Sequence, residues 1–235
     1  MPQGLYQALI DTGTLHIIAL SGMNISILIT LVAKTTLSLG RRISSILTLV
    51  IIMVFVWFVG ASPSIVRAAI MGSLSLFAVY TGRVGWAILS LLLTGGVMLI
   101  ININYIKDIS FQLSFLATLG IILVSVGNKK KYKGLWKNFT GSIKENFKIT
   151  LAAQIFTMPI ILIHFQRISI IAPVVNLLVV WAVQPIMVLG FITGILGLIW
   201  QPLGIIPAWM SWVPLTYLIT VIQWLAKVPG ASVEF

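Results

Sequence analysis

The chain has 235 residues, of which 59% are hydrophobic and 8% are charged, and its formal net charge is +11. A soluble globular domain has about 25% charged residues, so this composition excludes that class and indicates a helical protein that crosses a membrane several times. The chain has no cysteine, and its acidic residues are Asp11, Asp108, Glu145 and Glu234. Disulfides and thiolate metal sites are therefore excluded, and neither a metal site nor another cofactor is expected.

Apolar segments of the length that a membrane span requires, about 20 residues, follow one another along the chain. They predict an all-α bundle with about eight or nine membrane segments, placed at 16–34, 43–60, 63–81, 84–101, 109–127, 149–165, 169–183, 185–200 and 208–226. Segment 63–81 contains Arg67, and segment 169–183 is short and lies between Pro173 and Pro185. Both segments are therefore candidates for broken or re-entrant helices that line a cavity.

The lysines of one loop, 128–148, predict the orientation. Seven lysines lie there, and the positive-inside rule places them in the cytoplasm. Counting back in alternation puts Lys34, Arg41, Arg42 and Arg83 on the same side and the N-terminus outside. Contacts with anionic lipid are expected at Lys129, Lys130, Lys131 and Lys133. The aromatic residues between the lysines also fit a nucleic-acid contact, although a topology signal is the simpler interpretation.

The first apolar segment contains several polar residues. These are His16, Ser21, Asn24 and Ser26, and Gly22 follows Ser21 directly. Because hydrocarbon offers no water to satisfy a polar side chain, we expect these residues to face other helices or a wet cavity.

Arg67 is the strongest single signal in the second polar segment, GASPSIVRAAIMG. Pro63, preceded by Ser62 as a helix cap, predicts a helix that begins there and presents Arg67 one turn later. An arginine at the centre of a spanning helix costs about 2.5 to 3.5 kcal/mol on insertion scales. Two interpretations stay open: Arg67 extends to the outer headgroups, or it is a fixed positive charge in the path of an anionic polymer or solute.

The third polar segment, ISFQLSFLATLG, places hydroxyl residues on one helical face. Ser110, Ser114 and Thr118 are spaced by four, which is typical of a close helix-packing seam. Gln112 carries an amide that needs partners, which favours a cavity or a bond to another helix.

A last polar cluster lies at 164–176, HFQRISIIAPVVN. His164, Gln166 and Arg167 are expected at the outer interface. Asn176, which follows Pro173, is expected to be buried.

Four segments, taken together and in order, resemble the successive motifs of the competence domain of the ComEC family. They are LHIIALSGMNISIL at 15–28, PSIVRAAIMG at 63–72, ISFQLSFLATLGIIL at 109–123 and FQRISIIAPVVNLL at 165–178. Members of that family form the inner-membrane channel through which one strand of transforming DNA enters the cytoplasm. The resemblance implies that the residues around this path are His16, Ser21, Gly22, Asn24, Arg67, Gln112 and Ser114, and Asn176 is a further candidate. Many members have His where this chain has Asn24, and Asn still donates and accepts hydrogen bonds.

The resemblance also implies a domain organisation, a location and partners. Residues 1–235 match one competence domain, and we expect no OB-like or β-lactamase-like domain within them. The location implied is the bacterial cytoplasmic membrane, and the partner implied is single-stranded DNA. No Walker-type GxxxxGK[ST] motif is present, so the driving force is expected from a cytoplasmic helicase or translocase, and a nuclease or DNA receptor from separately encoded chains. A homodimer is left open.

Two other classes of function are compatible with these residues. A secondary transporter for a small anionic solute would use Arg67 and a broken helix in a similar way. An intramembrane serine hydrolase would need Ser21 beside His16, but five residues on a helix turn the two side chains about 140° apart. We therefore expect a channel and not an enzyme.

Overall fold

The computed structural model describes residues 3–14, 22–83, 85–125, 135–165, 167–169, 171–228 and 232–234. These residues are almost entirely helical, and the helices are α1 (Gln3–Asp11), α2 (Gly22–Thr36), α3 (Arg41–Val59), α4 (Pro63–Tyr80), α5 (Ala87–Ile101), α6 (Ile109–Ser125), α7 (Leu135–Phe165), α8 (Ala172–Ile199) and α9 (Gln201–Ala226). Short 3-10 turns at Leu37–Leu39 and Ile103–Lys107 follow α2 and α5. Two three-residue strands, β1 (Arg167–Ser169) and β2 (Ser232–Glu234), pair antiparallel.

The prediction of a helical membrane bundle is confirmed. Six of the described helices are long and apolar enough to cross a membrane, and α5 and α6 are shorter apolar helices. Large apolar side chains on these helices face outward: Trp57 is 86% exposed, Phe58 83% and Leu198 90%. Such surfaces suit hydrocarbon and not water.

The predicted boundary between segments 169–183 and 185–200 is wrong, because both belong to the single 28-residue helix α8 with Pro185 inside it. Helix α9 likewise begins at Gln201 and not at 208, and it contains Pro207 and Pro214. A proline inside a helix removes one hydrogen bond and costs about 3 kcal/mol in water. Membrane helices tolerate it because neighbouring helices and local adjustments satisfy the freed carbonyl groups.

Two further boundaries differ from the sequence predictions. Helix α7 begins at Leu135, so residues 135–148 of the predicted loop 128–148 are helical, and Lys144 and Lys148 are exposed on this helix. Helix α4 runs unbroken from Pro63 to Tyr80, so it is not a broken helix. Lys129, Lys130, Lys131 and Lys133 lie outside the described residues.

The chain divides into two compact units, which are described separately. The first comprises Met1–Ala19, Tyr132–Thr150 and Ile161–Phe235, and the second comprises Leu20–Lys131 and Leu151–Ile160.

In the first unit, α8 and α9 form an antiparallel hairpin that turns at Trp200. Near the turn, a Cβ at Gly204 would lie 2.9 Å from the Gly197 Cα, so the helices approach closely there. Farther along, the Trp181 and Tyr217 rings lie 5.1 Å apart, and the Tyr217 hydroxyl donates to the Leu178 carbonyl at 3.2 Å.

The N-terminal helix of the first unit is fixed by later parts of the chain. Helix α1 packs against α9, and the Ser169 hydroxyl donates to the Asp11 carbonyl at 2.8 Å. Ser169 also ends β1, whose partner strand β2 follows α9. The end of α1, the segment between α7 and α8, and the segment after α9 therefore meet at one place.

In the second unit, α2, α3 and α4 pack against one another, and α4 also contacts α5 and α6. The core side chains Ile25, Ile52, Ile65, Leu91 and Met98 are all buried. The Thr36 and Ser44 hydroxyls, 2.8 Å apart, join α2 to α3. This packing holds the first turn of α4 among neighbouring helices.

Candidate functional site: a buried arginine

The turn before α4 places Arg67. Gly60 has φ +99°, a backbone conformation that residues other than glycine rarely adopt. This conformation lets the chain turn back after α3. Ser62 is extended and Pro63 is the first helical residue, and the Val66 N–H donates to the Ser62 carbonyl at 2.9 Å. The predicted helix start is confirmed, although the Ser62 side chain makes no cap hydrogen bond.

Arg67 is buried, with 8% of its surface exposed. Its Nη1 donates to the Thr118 hydroxyl on α6 and lies 4.0 Å from the Met71 sulfur. A helix rises about 1.5 Å per residue, so Thr118 lies about 14 Å from the first residue of α6 and about 10 Å from its last residue. The guanidinium group therefore lies beside the middle of a membrane helix, which does not fit an arginine that extends to the headgroups.

The Thr118 hydroxyl is arranged as an acceptor for Arg67. It donates its own hydrogen to the Ser114 carbonyl at 2.9 Å, so its lone pairs are left for the guanidinium. These contacts connect α4 to α6 through one polar chain inside an apolar bundle.

The positive charge of Arg67 has no opposite charge beside it. No acidic residue occurs anywhere between residues 12 and 107, and the contacts of Arg67 among the described residues involve no carboxylate. Its Nε is buried and lacks a hydrogen-bond partner within the described part of the chain. Because an uncompensated buried charge costs several kcal/mol, an ionisable residue in this setting indicates a functional site.

Gly22 borders the same guanidinium group from α2. A Cβ at this position would lie 3.0 Å from the Arg67 Nη2 and 3.0 Å from the Ala68 Cβ. A side chain at this position would force the neighbouring atoms to move by a few tenths of an ångström, so glycine favours the close approach of α2 to α4. The structure thus brings together residues of the first two polar segments, Gly22 and Arg67, and adds Thr118 from the third.

Other candidates of the second unit lie near this group or serve local structure. Asn24 is buried in α2 with 8% exposure, and Ser114 contributes its carbonyl to the Thr118 hydroxyl. The Gln112 Nε2 donates to the Ile106 carbonyl at 2.7 Å, so it holds the preceding 3-10 turn and does not bond to another α-helix. Ser21 lies outside the described residues.

Two candidates belong to the first unit. Asn176 lies in α8, where its Oδ1 is buried and has no hydrogen-bond partner in the described ranges. His16 lies outside the described residues. The placing of these candidates along one DNA path stays a prediction.

Sequence reasoning missed the partners of Arg67. The spacing of Ser110, Ser114 and Thr118 showed a polar face, but it was interpreted as a packing seam. Ser110 is exposed at the start of α6, whereas Thr118 receives the arginine. The short side chain of Ala68, which lets Gly22 approach, gave no signal in the sequence.

Together, the fold and the site define a multi-pass helical membrane protein with a cation buried among α2, α4 and α6 that contacts no carboxylate within the described ranges. The chain matches the Competence protein family over residues 1–235 and belongs to this family. It is 30% identical over 189 residues to ComE operon protein 3 of Bacillus subtilis (strain 168), a match that covers 78% of this chain and 23% of that protein. The chain therefore spans less than a quarter of the length of that curated relative. No solved structure matches it.

The family membership confirms the resemblance found in the four polar segments.

Proposed function

We propose that this chain forms a membrane channel that conducts single-stranded DNA across the cytoplasmic membrane during natural transformation. Its family and its fold support this proposal, and the observation that carries it is the buried, unpaired Arg67. A DNA strand bears one negative charge per nucleotide, so each passing phosphate supplies the counter-charge that the protein lacks. The chain acts as a conduit and not as an enzyme.

The guanidinium group is arranged to bind phosphate through one edge. Its Nη1 is occupied by the Thr118 hydroxyl, and its Nε has no partner among the residues described. The Nε and Nη2 atoms form the edge that binds an oxyanion with two parallel hydrogen bonds. Gly22 lies beside Nη2 and Nε is buried, so a phosphate reaches this edge only when α2 moves away from α4. One such contact is weak enough to release each phosphate, as conduction requires.

The orientation proposed from the lysines, with the N-terminus outside and loop 128–148 in the cytoplasm, fits the helix count. With α8 as one helix, eight segments from α2 to α9 form the membrane bundle, so the segments before α2 and after α9 lie on the same side. This count is compatible with the contact of α1 and α9 in the first unit. A cytoplasmic helicase or translocase would pull the entering strand, and a nuclease or receptor would supply it.

A secondary transporter for a small anion is the second candidate, and one observation favours it. Within the part of the chain that the structure describes, Arg67 is the one charged residue that is buried. A DNA path would contact several phosphates along its length, whereas a solute site needs a single compact cation. The substrate therefore has to be decided by experiment.

Substitution of Arg67 tests the proposal. In a competent host, residues 1–235 would replace the matching segment of the host's own family member, and transformation frequency would be measured at equal protein levels in the membrane. Arg67→Gln should lower the frequency by at least about tenfold, the loss expected for one hydrogen bond to a charged group. Arg67→Lys should retain part of the activity because a point charge remains. Lys107→Gln, which removes an exposed cation between α5 and α6, serves as the matched control.

The results separate the two candidates. Normal transformation in Arg67→Gln would refute the role of the buried charge. Purified protein in vesicles would then be tested with labelled single-stranded oligonucleotide and with inorganic phosphate. If the vesicles take up phosphate but not the oligonucleotide, and if Arg67→Gln abolishes the phosphate uptake, the protein is a transporter for a small anion.

A further inference from the structure

A groove lies in the second unit where α4 ends and α5 begins. Its volume is about 380 Å³. One wall carries Leu74 and Phe77 of α4, and the other carries Leu89 and Leu93 of α5. The residues at each wall are three or four positions apart, so they share one helical face. Arg83 and Trp86, from the connection between the helices, line the same groove.

The walls of the groove are apolar and open to the surroundings. Phe77 is 65% exposed, Leu89 51% and Leu93 51%. Trp86 is 70% exposed and lies at the end of a membrane helix, the position that tryptophan prefers at the level of lipid headgroups. The groove thus has an apolar trough along the helices and an interfacial aromatic ring at its end.

The same end of the groove is positively charged without any acidic residue to balance it. The Arg83 N–H donates to the Ala78 carbonyl at 2.8 Å, which fixes its backbone at the end of α4. Its side chain is exposed, and residues 12–107 contain no Asp or Glu that could pair with it. Arg42, which lies 5.8 Å from the centre of the Tyr80 ring, adds a second positive charge at this end of α4.

We propose that this groove binds one anionic phospholipid, with the phosphate at Arg83 and an acyl chain between Phe77 and Leu93. The apolar walls and Arg83 call for different parts of a ligand. A free phosphate would not use the apolar walls, and an acyl chain alone would not use the arginine. An amphiphile with a negative headgroup matches both at once. The site is separate from the buried Arg67 and does not depend on the substrate of the protein.

Native mass spectrometry of the purified protein tests this assignment with phosphatidylglycerol and phosphatidylcholine of identical acyl chains. The unsubstituted protein should retain phosphatidylglycerol preferentially. Arg83→Gln should weaken that retention by about tenfold, and Arg83→Lys should keep the preference for the anionic lipid. Lys107→Gln, an exposed cation in another helix connection, should change nothing. The double substitution of Phe77 and Leu93 by Ala should weaken retention of both lipids.

Several outcomes would overturn the assignment. One is equal retention of the two lipids by the unsubstituted protein, and another is an unchanged preference in Arg83→Gln. Unchanged retention in the double alanine variant of Phe77 and Leu93 would show an anion site without an acyl chain. Thermal unfolding of each variant, measured in detergent, shows that it is folded. If Arg83→Gln does not fold, the comparison of the two lipids on the unsubstituted protein and on the double alanine variant keeps the test decisive.

Discussion

Substitution of Gly22 by alanine tests the close approach of α2 to α4. The added Cβ would lie 3.0 Å from the Ala68 Cβ and 3.0 Å from the Arg67 Nη2. Carbon atoms pack best at about 3.5 to 4.0 Å, so the atoms around the added Cβ would have to move by a few tenths of an ångström. The guanidinium group can rotate away, but the Ala68 Cβ moves only with its backbone. The contact with Ala68 therefore decides the cost.

Overpacking of this kind costs about 1 to 3 kcal/mol, and we expect Gly22→Ala to lower the free energy of unfolding by that amount. The measurement is unfolding of the purified protein in mixed micelles at increasing SDS fraction. Gly96→Ala is the matched control, because a Cβ at Gly96 in α5 meets nothing within 4 Å. That variant should be neutral or stabilising, since alanine favours a helix by about 1 kcal/mol over glycine.

A second substitution isolates the contact responsible. Ala68→Gly removes the opposing Cβ, so Gly22→Ala combined with Ala68→Gly should recover most of the loss. A double-mutant cycle then gives a coupling energy of about 0.5 to 3 kcal/mol for residues in contact. If the two effects simply add, or if Gly22→Ala is as stable as Gly96→Ala, the close approach described above is refuted.

Two further predictions follow from the site and from the helix count. Thr118→Val keeps the shape of the side chain but leaves Nη1 of Arg67 without its acceptor, so it should lower the free energy of unfolding by about 1 to 3 kcal/mol. Thr118→Ser keeps the hydroxyl and should lower it by less. Equal stability of the unsubstituted protein and both variants would contradict the hydrogen bond. A reporter enzyme that is active only outside the cytoplasm should be inactive when fused within 130–145 and active at 102–106 or directly after residue 226, and the reverse pattern would overturn the orientation.

The membrane segments were predictable because length and apolar composition alone define a span. The start of α4 was also predictable, since proline is favoured in the first turn of a helix and Ser62 precedes Pro63. The prolines inside α8 and α9 misled the prediction for a physical reason. Proline ends helices in water, whereas Pro185, Pro207 and Pro214 lie inside two long apolar helices that pack along each other, a setting in which membrane helices tolerate proline.

The site was predictable only in its parts. Arg67 was identifiable because a charge within an apolar segment is costly wherever the chain folds. Its partner Thr118 lies 51 residues away, and no local pattern states which helix faces which. The strands β1 and β2 were missed for the same reason. A three-residue strand owes its structure to its partner and not to its own sequence.

The anchoring of α1 affects how this protein is made. The Asp11 carbonyl is bonded to a residue 158 positions later, and α1 packs against α9, which ends at Ala226. At a synthesis rate of about 5 to 20 residues per second, α1 waits roughly 10 to 40 s for its binding surface. During that interval the surface that buries Leu9 in the finished structure is incomplete. Loss of α9 would therefore leave the N-terminal helix without one of its packing partners.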